Sequence, residues 1–412
     1  MTNSSQSAAP APAKAAPARA SRKMVYWLVF MFAVLLGGVA LRQTASDHLR
    51  ATSVLLRLTN PSAQGFLTSF ARHPFTEETA SAATPQGTLR YRLFVPTDVS
   101  HPPGIILLHG IHRAGIDEPR LINFGRVLAG AGIEVMTPEL QDLADYRVTT
   151  ATIETIGDAA VLLAGKMGRP KVGILGLSFG GGLALLAATR PEFSDKIGFV
   201  VAVGAHDDMS RVARFFAANM IEKPDGSAVS LKAHEYGALI LAYSHPEDFF
   251  PAKDVPVATQ ALKLWIWERP ADSLKTAEAL SPAGKQELDL LLHHRGDLEQ
   301  TFLREVDRHQ DEMQAVSPHS RLSQLRVPVF LLHGATDTII PSSETLWLAK
   351  DVPPGDLRKV LISRAMNMIH VDGEHPVTLS ERMALVDFMA GLLKAADKTA
   401  TVSVSRNARL TP

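Results

Sequence analysis

Short apolar runs alternate, from about residue 85 onward, with longer stretches whose apolar residues recur at helical spacing. Residues 88–96 predict an edge strand, and residues 104–109, 134–137, 172–177, 199–203, 327–333 and 360–363 predict further strands. Helical periodicity over 121–131, 153–167, 179–189 and 379–393 predicts helices between and after them. Strand runs that are apolar throughout need cover on both faces. The pattern therefore predicts an α/β fold with a mostly parallel central sheet and helices on both faces. One gap breaks the rhythm. Residues 204–327 separate two adjacent sheet strands, where a crossover unit needs about 30 residues. Their helix-rich pattern predicts an inserted helical cap over 205–324, leaving 85–204 and 325–395 as the core and 396–412 as a loose polar tail.

The region before the core reads differently. Residues 1–23 are mostly Ala, Pro and Ser, with Lys14, Arg19, Arg22 and Lys23 and no acid, a composition with too little to bury and so disordered. Residues 24–41 carry no charge and, as a helix, would span about 27 Å, close to the ~30 Å hydrocarbon core of a bilayer. A single-pass transmembrane anchor is the expectation, with a cleaved signal peptide as the alternative, although signal apolar regions run about 7 to 15 residues. Unopposed bases before the span place the catalytic body on the extracytoplasmic side and make the membrane a partner. Residues 42–84 read as a linker region.

Composition narrows the chemistry. With 46% apolar and 20% charged residues in 412, the chain can bury a large core. Lys plus Arg and Asp plus Glu both number 42, which removes the electrostatic case for nucleic acid as partner. The absence of cysteine excludes thiolate nucleophiles, disulfides and Cys-ligated metals. His293 and His294 have no metal-ligand spacing around them, so no metal and no cofactor is implied.

The strongest local signal is Gly176-Leu177-Ser178-Phe179-Gly180. Its context makes it specific, because an apolar strand run leads into it and a small-residue helix, from Gly180 onward, follows it. A serine on such a strand-to-helix turn sits in a strained backbone, and the flanking glycines avoid clashes across the turn. Three other sites follow strand ends. They are His109-Gly110-Ile111, Asp337 after the run 327–333, and His370 after the run 360–363.

These residues resemble the α/β-hydrolase superfamily, in particular serine esterase- or lipase-like members with an inserted cap, over roughly residues 85–395. The resemblance implies Ser178 as nucleophile, Asp337 as acid and His370 as base, in the family's chain order. It also implies an oxyanion hole from the backbone N–H groups of Ile111 and Phe179. The chemistry needs these types. A serine hydroxyl is a poor nucleophile at neutral pH, so an imidazole must take its proton and return it to the leaving group. A carboxylate then orients the ring and stabilises the imidazolium. Asp207 and Asp208 after the preceding strand remain alternative acids, and His375 an alternative base.

The expected function is carboxylic ester hydrolysis through an acyl-enzyme, on a small-molecule acyl substrate. Thioesterase, acyltransferase and serine peptidase activities stay open, as does a non-catalytic interaction module of the same fold. Phe215, Phe216, Phe249, Phe250, Trp265 and Trp267 cluster in the cap, either roofing a substrate pocket or forming the cap's own core.

Overall fold

The computed structural model describes residues 42–366 and 377–401. In that span an eight-stranded sheet runs in the order β1-β2-β4-β3-β5-β6-β9-β10. Its strands are β1 (Phe75–Thr84), β2 (Gly87–Pro96), β3 (Gly104–Leu108), β4 (Glu134–Pro138), β5 (Val172–Leu177), β6 (Ile197–Val203), β9 (Val329–Gly334) and β10 (Leu357–Ser363). A separate two-stranded ribbon joins β7 (Met220–Glu222) and β8 (Ala228–Ser230). Strands β4, β3, β5, β6, β9 and β10 are mutually parallel, whereas β1 and β2 pair antiparallel. Every residue of β3 and β9 is buried, as continuous apolar runs in a doubly covered sheet require.

The covering helices are α1 (Pro119–Ala129), α2 (Thr150–Lys166), α3 (Phe179–Thr189), α11 (Ser343–Asp351) and α12 (Leu379–Thr401), with a helix over residues 42–59. Between β6 and β9 lie α4 (Met209–Ala218), α5 (Glu235–Ser244), α6 (Val255–Ile266), α7 (Pro270–Ala277), α8 (Pro282–His293), α9 (Glu299–Arg308) and α10 (Gln310–Ala315). This insertion shares one apolar cluster with α3 and one face of the sheet, through residues such as Val212, Phe215, Leu241 and Phe302. Phe215, Phe216, Phe249 and Phe250 are all buried, and Phe249 packs on Phe302 with ring centroids 5.0 Å apart. These four phenylalanines are core of the insertion.

Three expectations are corrected. Residues 42–84 are more than a linker, for they hold the helix over 42–59 and strand β1, which takes the edge position expected of β2. Strand β1 has no fully buried side chain, so its sequence, FTEETASAAT, gives no apolar run to detect. The expected tail from residue 396 continues α12 to Thr401. Ala396 is buried, Asp397 pairs with Arg50 at 2.7 Å, and the Ala400 carbonyl accepts from Arg169.

The third correction concerns the membrane. No helix among the described residues is long and apolar enough to cross one. The helix over 42–59 carries Arg42, Asp47, Arg50 and Arg57, and α12 carries Glu381, Arg382, Asp387, Lys394, Asp397 and Lys398. One such charge at a bilayer centre costs about 3 kcal/mol on insertion scales. The span expected at residues 24–41 lies outside the described residues. The single-pass localisation with an extracytoplasmic catalytic domain is set aside on this finding.

Candidate active site

Ser178 follows β5 and precedes α3 as its N-cap residue, with φ 53° and ψ −133°, a backbone region that costs a non-glycine residue of order 1–3 kcal/mol. The turn is held by its neighbours. The Ser178 N–H donates to the Val203 carbonyl at the end of β6 (2.7 Å), and the Ser178 carbonyl accepts from Gly181 N–H (2.9 Å). The two motif glycines are sterically required, since a Cβ at Gly176 would lie 2.5 Å from the Gly180 oxygen and one at Gly180 would lie 2.7 Å from the His109 oxygen. Phe179 opens α3, so its N–H belongs to the unpaired amides of a helix N-terminus.

The His109-Gly110-Ile111 turn packs directly against the serine. A Cβ on Gly110 would fall 2.8 Å from the Ser178 Cβ and 3.4 Å from its Oγ. His109 is buried, and the Leu140 N–H donates to its Nε2 at 3.0 Å. Its Nδ1 therefore carries the proton and donates to the Gly110 carbonyl at 2.8 Å. That carbonyl shares a planar peptide with the Ile111 N–H, so His109 fixes the direction of the amide expected in the oxyanion hole. Burial pushes the His109 pKa down to about 4, and the ring is neutral at physiological pH.

Asp337 lies past the end of β9 and is largely buried. Its Oδ1 accepts the N–H groups of Ile339 (2.9 Å) and Ile340 (3.1 Å), which fixes the carboxylate, while Oδ2 lies 3.6 Å from His333 Nε2. Strands β5 and β9 flank β6, so at about 4.8 Å per strand their parallel C-terminal ends stand about 10 Å apart on one sheet edge. His370 and His375 lie outside the described residues. The chain reaches them from β10 through Met366, whose carbonyl oxygen would lie 2.6 Å from a Cβ at Gly334, three residues before Asp337.

The alternative acids are committed elsewhere. Asp208 caps α4 by accepting the N–H groups of Ser210 and Arg211. Asp207 is fully buried, 2.8 Å from Arg211 and 3.3 Å from His319 Nδ1. Glu344, also fully buried, accepts the Asp207 and Asp208 N–H groups at 2.9 Å each and Arg211 Nε at 2.5 Å. Burial, reinforced by the charge of Glu344, raises the Asp207 carboxyl to about 7. No local pattern marks this cluster, because Glu344 lies over a hundred residues from Asp207 and on a helix rather than a strand end.

A cavity of about 230 Å³ lies between the core and the insertion, lined by Tyr146, Val148, Met209, Leu241, Met313 and Val316 among others. Tyr146 ties it to the loop that follows His109-Gly110-Ile111, since its hydroxyl accepts the Arg113 N–H at 3.4 Å. It also meets Tyr236 of α5 edge-on at 5.4 Å.

No protein-family model and no curated protein matches the chain. Solved structures similar to it include puromycin hydrolase, with 13% identity over 82% of this chain and 40% of that one and a TM-score of 0.45. Another is the 2,6-dihydroxy-pseudo-oxynicotine hydrolase, with 16% identity over 80% and 68% and a TM-score of 0.40. A third is the 2-hydroxy-6-oxo-6-phenylhexa-2,4-dienoate hydrolase of Rhodococcus sp. strain RHA1, with 19% identity over 70% and 91% and a TM-score of 0.35. This chain spans about 40% of the length of the first of these. Scores at this level carry no argument about activity. The strand order, the parallel centre of the sheet and the strained serine on the β5–α3 turn do carry the architecture, and the chain has the α/β-hydrolase fold.

Proposed function

We propose that the protein is a serine hydrolase that cleaves carboxylic esters of small acyl substrates through an acyl-enzyme. The observation that carries the reading is the backbone of Ser178, which holds a non-glycine residue at φ 53° between β5 and the N-terminus of α3. Strain of this kind persists only where the surroundings impose it, and a strand-to-helix turn of this type is the setting of a nucleophilic serine. His370 takes the Ser178 proton as the oxygen attacks the acyl carbon, then returns it to the leaving alcohol. Asp337 orients His370 and stabilises the imidazolium. The N–H groups of Ile111 and Phe179 meet the developing oxyanion, each worth about 3 kcal/mol of barrier. The insertion over 205–324 shapes the acyl pocket, for which the cavity beside Tyr146 offers mixed apolar and polar walls.

Labelling with a fluorophosphonate probe tests the reading. Wild type should be modified and Ser178→Ala should not, and aryl esters should be hydrolysed faster than peptidyl amides. Absence of labelling in folded wild type would leave a non-catalytic module of this fold, and a preference for amides would make the protein a peptidase.

A further inference from the structure

Outside the candidate active site, the insertion gathers a second cluster of titratable side chains. His245 closes the C-terminal end of α5, and Asp248 stands three residues on, in the short turn Pro246–Asp248. Glu305 comes from α9, Glu312 from α10, and His309 from the junction between the two helices. The imidazoles of His245 and His309 are stacked, with centroids 3.5 Å apart and planes 6° from parallel.

Carboxylates face all four ring nitrogens. His245 Nδ1 lies 2.6 Å from Glu305 Oε1, and its Nε2 lies 3.3 Å from Glu312 Oε2. His309 Nε2 lies 2.8 Å from Asp248 Oδ2, and its Nδ1 lies 3.7 Å from Glu312 Oε1. An ionised carboxylate only accepts, so each nitrogen it faces is favoured in its protonated form, and a ring protonated at both is a cation. Charge balance agrees. Glu305, Glu312 and Asp248 bring three negative charges, and Arg308, paired with Asp248, brings one positive. The cluster is neutral only when both rings are imidazolium. Glu305 sharpens the requirement, because its carboxylate is fully buried and its Oε2 has no hydrogen-bond partner among the described residues. A buried charge left unmatched is strongly destabilising. The repulsion of two cations 3.5 Å apart is met by four imidazolium–carboxylate contacts at 2.6 to 3.7 Å. A shared metal ion fits poorly here, since in-plane lone pairs of two parallel, stacked rings do not converge on one point.

We propose that His245 and His309 form a proton-held clasp that ties the end of α5 to α9 and α10, closed while both rings are protonated and released as pH rises. His245 and Glu312 line the 230 Å³ cavity together with Leu241 and Met313, so the clasp braces one wall of it. Across that cavity Arg147 stacks on Tyr243, 5.5 Å from the ring centre, and is occupied there. Burial by itself lowers the His245 pKa, but the hydrogen bonds and charges of Glu305 and Glu312 outweigh it and raise the value above its ordinary one. A raised folded-state pKa contributes stability that is full below the unfolded value, about 6.5, and is lost as pH rises through the folded value.

The test is independent of any reaction at Ser178. Full-length protein labelled with ¹⁵N-histidine is titrated from pH 5 to 9 by long-range ¹H–¹⁵N NMR, with amide exchange of residues 245–250 and 309–315 followed alongside. The His245 midpoint should lie above that of a free imidazole, and Glu305→Gln should lower it by about one pH unit, the size of a single strong charge partner. Exchange, corrected for its intrinsic base catalysis, should rise about tenfold through the midpoint, the equivalent of one pKa unit. The double variant His245→Gln, His309→Gln should lack that step. A His245 midpoint at or below that of a free imidazole, or an exchange rate without a step, overturns the clasp. Displacement of both rings' resonances by one equivalent of Zn²⁺ would overturn it in favour of a cation site. Should the double variant not fold, the wild-type titration and exchange step decide alone.

Discussion

Gly110 and Ser178 touch so closely that a methyl group on Gly110 would stand 2.8 Å from the serine Cβ. Both backbones are held, Ser178 by the Val203 carbonyl of β6 and Gly110 by the His109 ring, which opposes retreat of either. Gly110→Ala should therefore displace the nucleophile from its turn, with a stability cost of about 1–3 kcal/mol, as for other overpacked sites. Ester hydrolysis should fall at least about tenfold, equivalent to about 1.4 kcal/mol of barrier. Gly165→Ala, an exposed position in α2 with nothing within 4 Å of the new Cβ, is the control, and should be neutral or stabilising in urea melts. Unchanged turnover in folded Gly110→Ala would separate this turn from the chemistry.

The strain at Ser178 has its own signature. Replacing the residue with glycine relieves a φ of 53° that alanine keeps, so Ser178→Gly should be about 1 kcal/mol more stable than Ser178→Ala by chemical denaturation. Neither variant should react with a fluorophosphonate. Equal stability of the two would mean that the backbone relaxes once the hydroxyl is gone.

A histidine that titrates near pH 4 cannot supply an activity midpoint near neutrality, and this separates His109 from His370. Hydrolysis should rise with pH through about 6 to 7, where an ordinary imidazole loses its proton. His109→Gln should lower kcat and leave that midpoint in place, because the ring positions the Gly110–Ile111 peptide and transfers no proton. The depressed pKa also makes His109 a source of acid lability. Its contribution to stability is present above about 6.5, the unfolded value, and is lost as pH falls towards 4. Thermal melts between pH 4 and 7 should show a shallower slope in His109→Gln. A midpoint that moves with the substitution would make His109 a participant in proton transfer.

The residues most legible from the sequence were those whose local pattern is also their structural reason. The run Val172–Leu177 and the helix Phe179–Thr189 have the boundaries that periodicity assigns, because a doubly buried strand and an Ala/Leu/Gly helix under the sheet leave continuous apolar signals. Strand β1 was invisible because it is an edge with no buried face. The stretch 298–313 is rich in charge, as an outer surface would be, yet it turns Phe302, Glu305 and Val306 inward. Charge at Glu305 suggested solvent, and only its partner His245, sixty residues away, explains the burial. Pairing between distant polar groups is what single-sequence patterning lacks. The apolar residues of the insertion likewise join the cluster beneath the sheet, a contact between distant segments that periodicity does not show.

Asp207 offers a last prediction, which also decides between the two candidate acids. Its carboxyl is raised to about 7 by burial first and by Glu344 second, against the lowering pull of Arg211, with Asp351 and His319 close by. The folded state therefore holds a proton that the unfolded chain releases near 4. By linkage, the stability from this group is full below about 4 and is lost as pH rises through about 7. Asp207→Asn keeps a neutral side chain at every pH, so its thermal midpoint should decline less than that of wild type between pH 5 and 8. Turnover should survive this change, because Asp207 faces Arg211 and His319 and not the serine turn. Asp337→Asn should instead cost about three to four orders of magnitude in kcat, the usual loss when a triad acid is neutralised. If Asp207→Asn is the variant that loses turnover and Asp337→Asn keeps it, the acid follows β6, and the Asp337 carboxylate serves only to cap its own loop through Ile339 and Ile340.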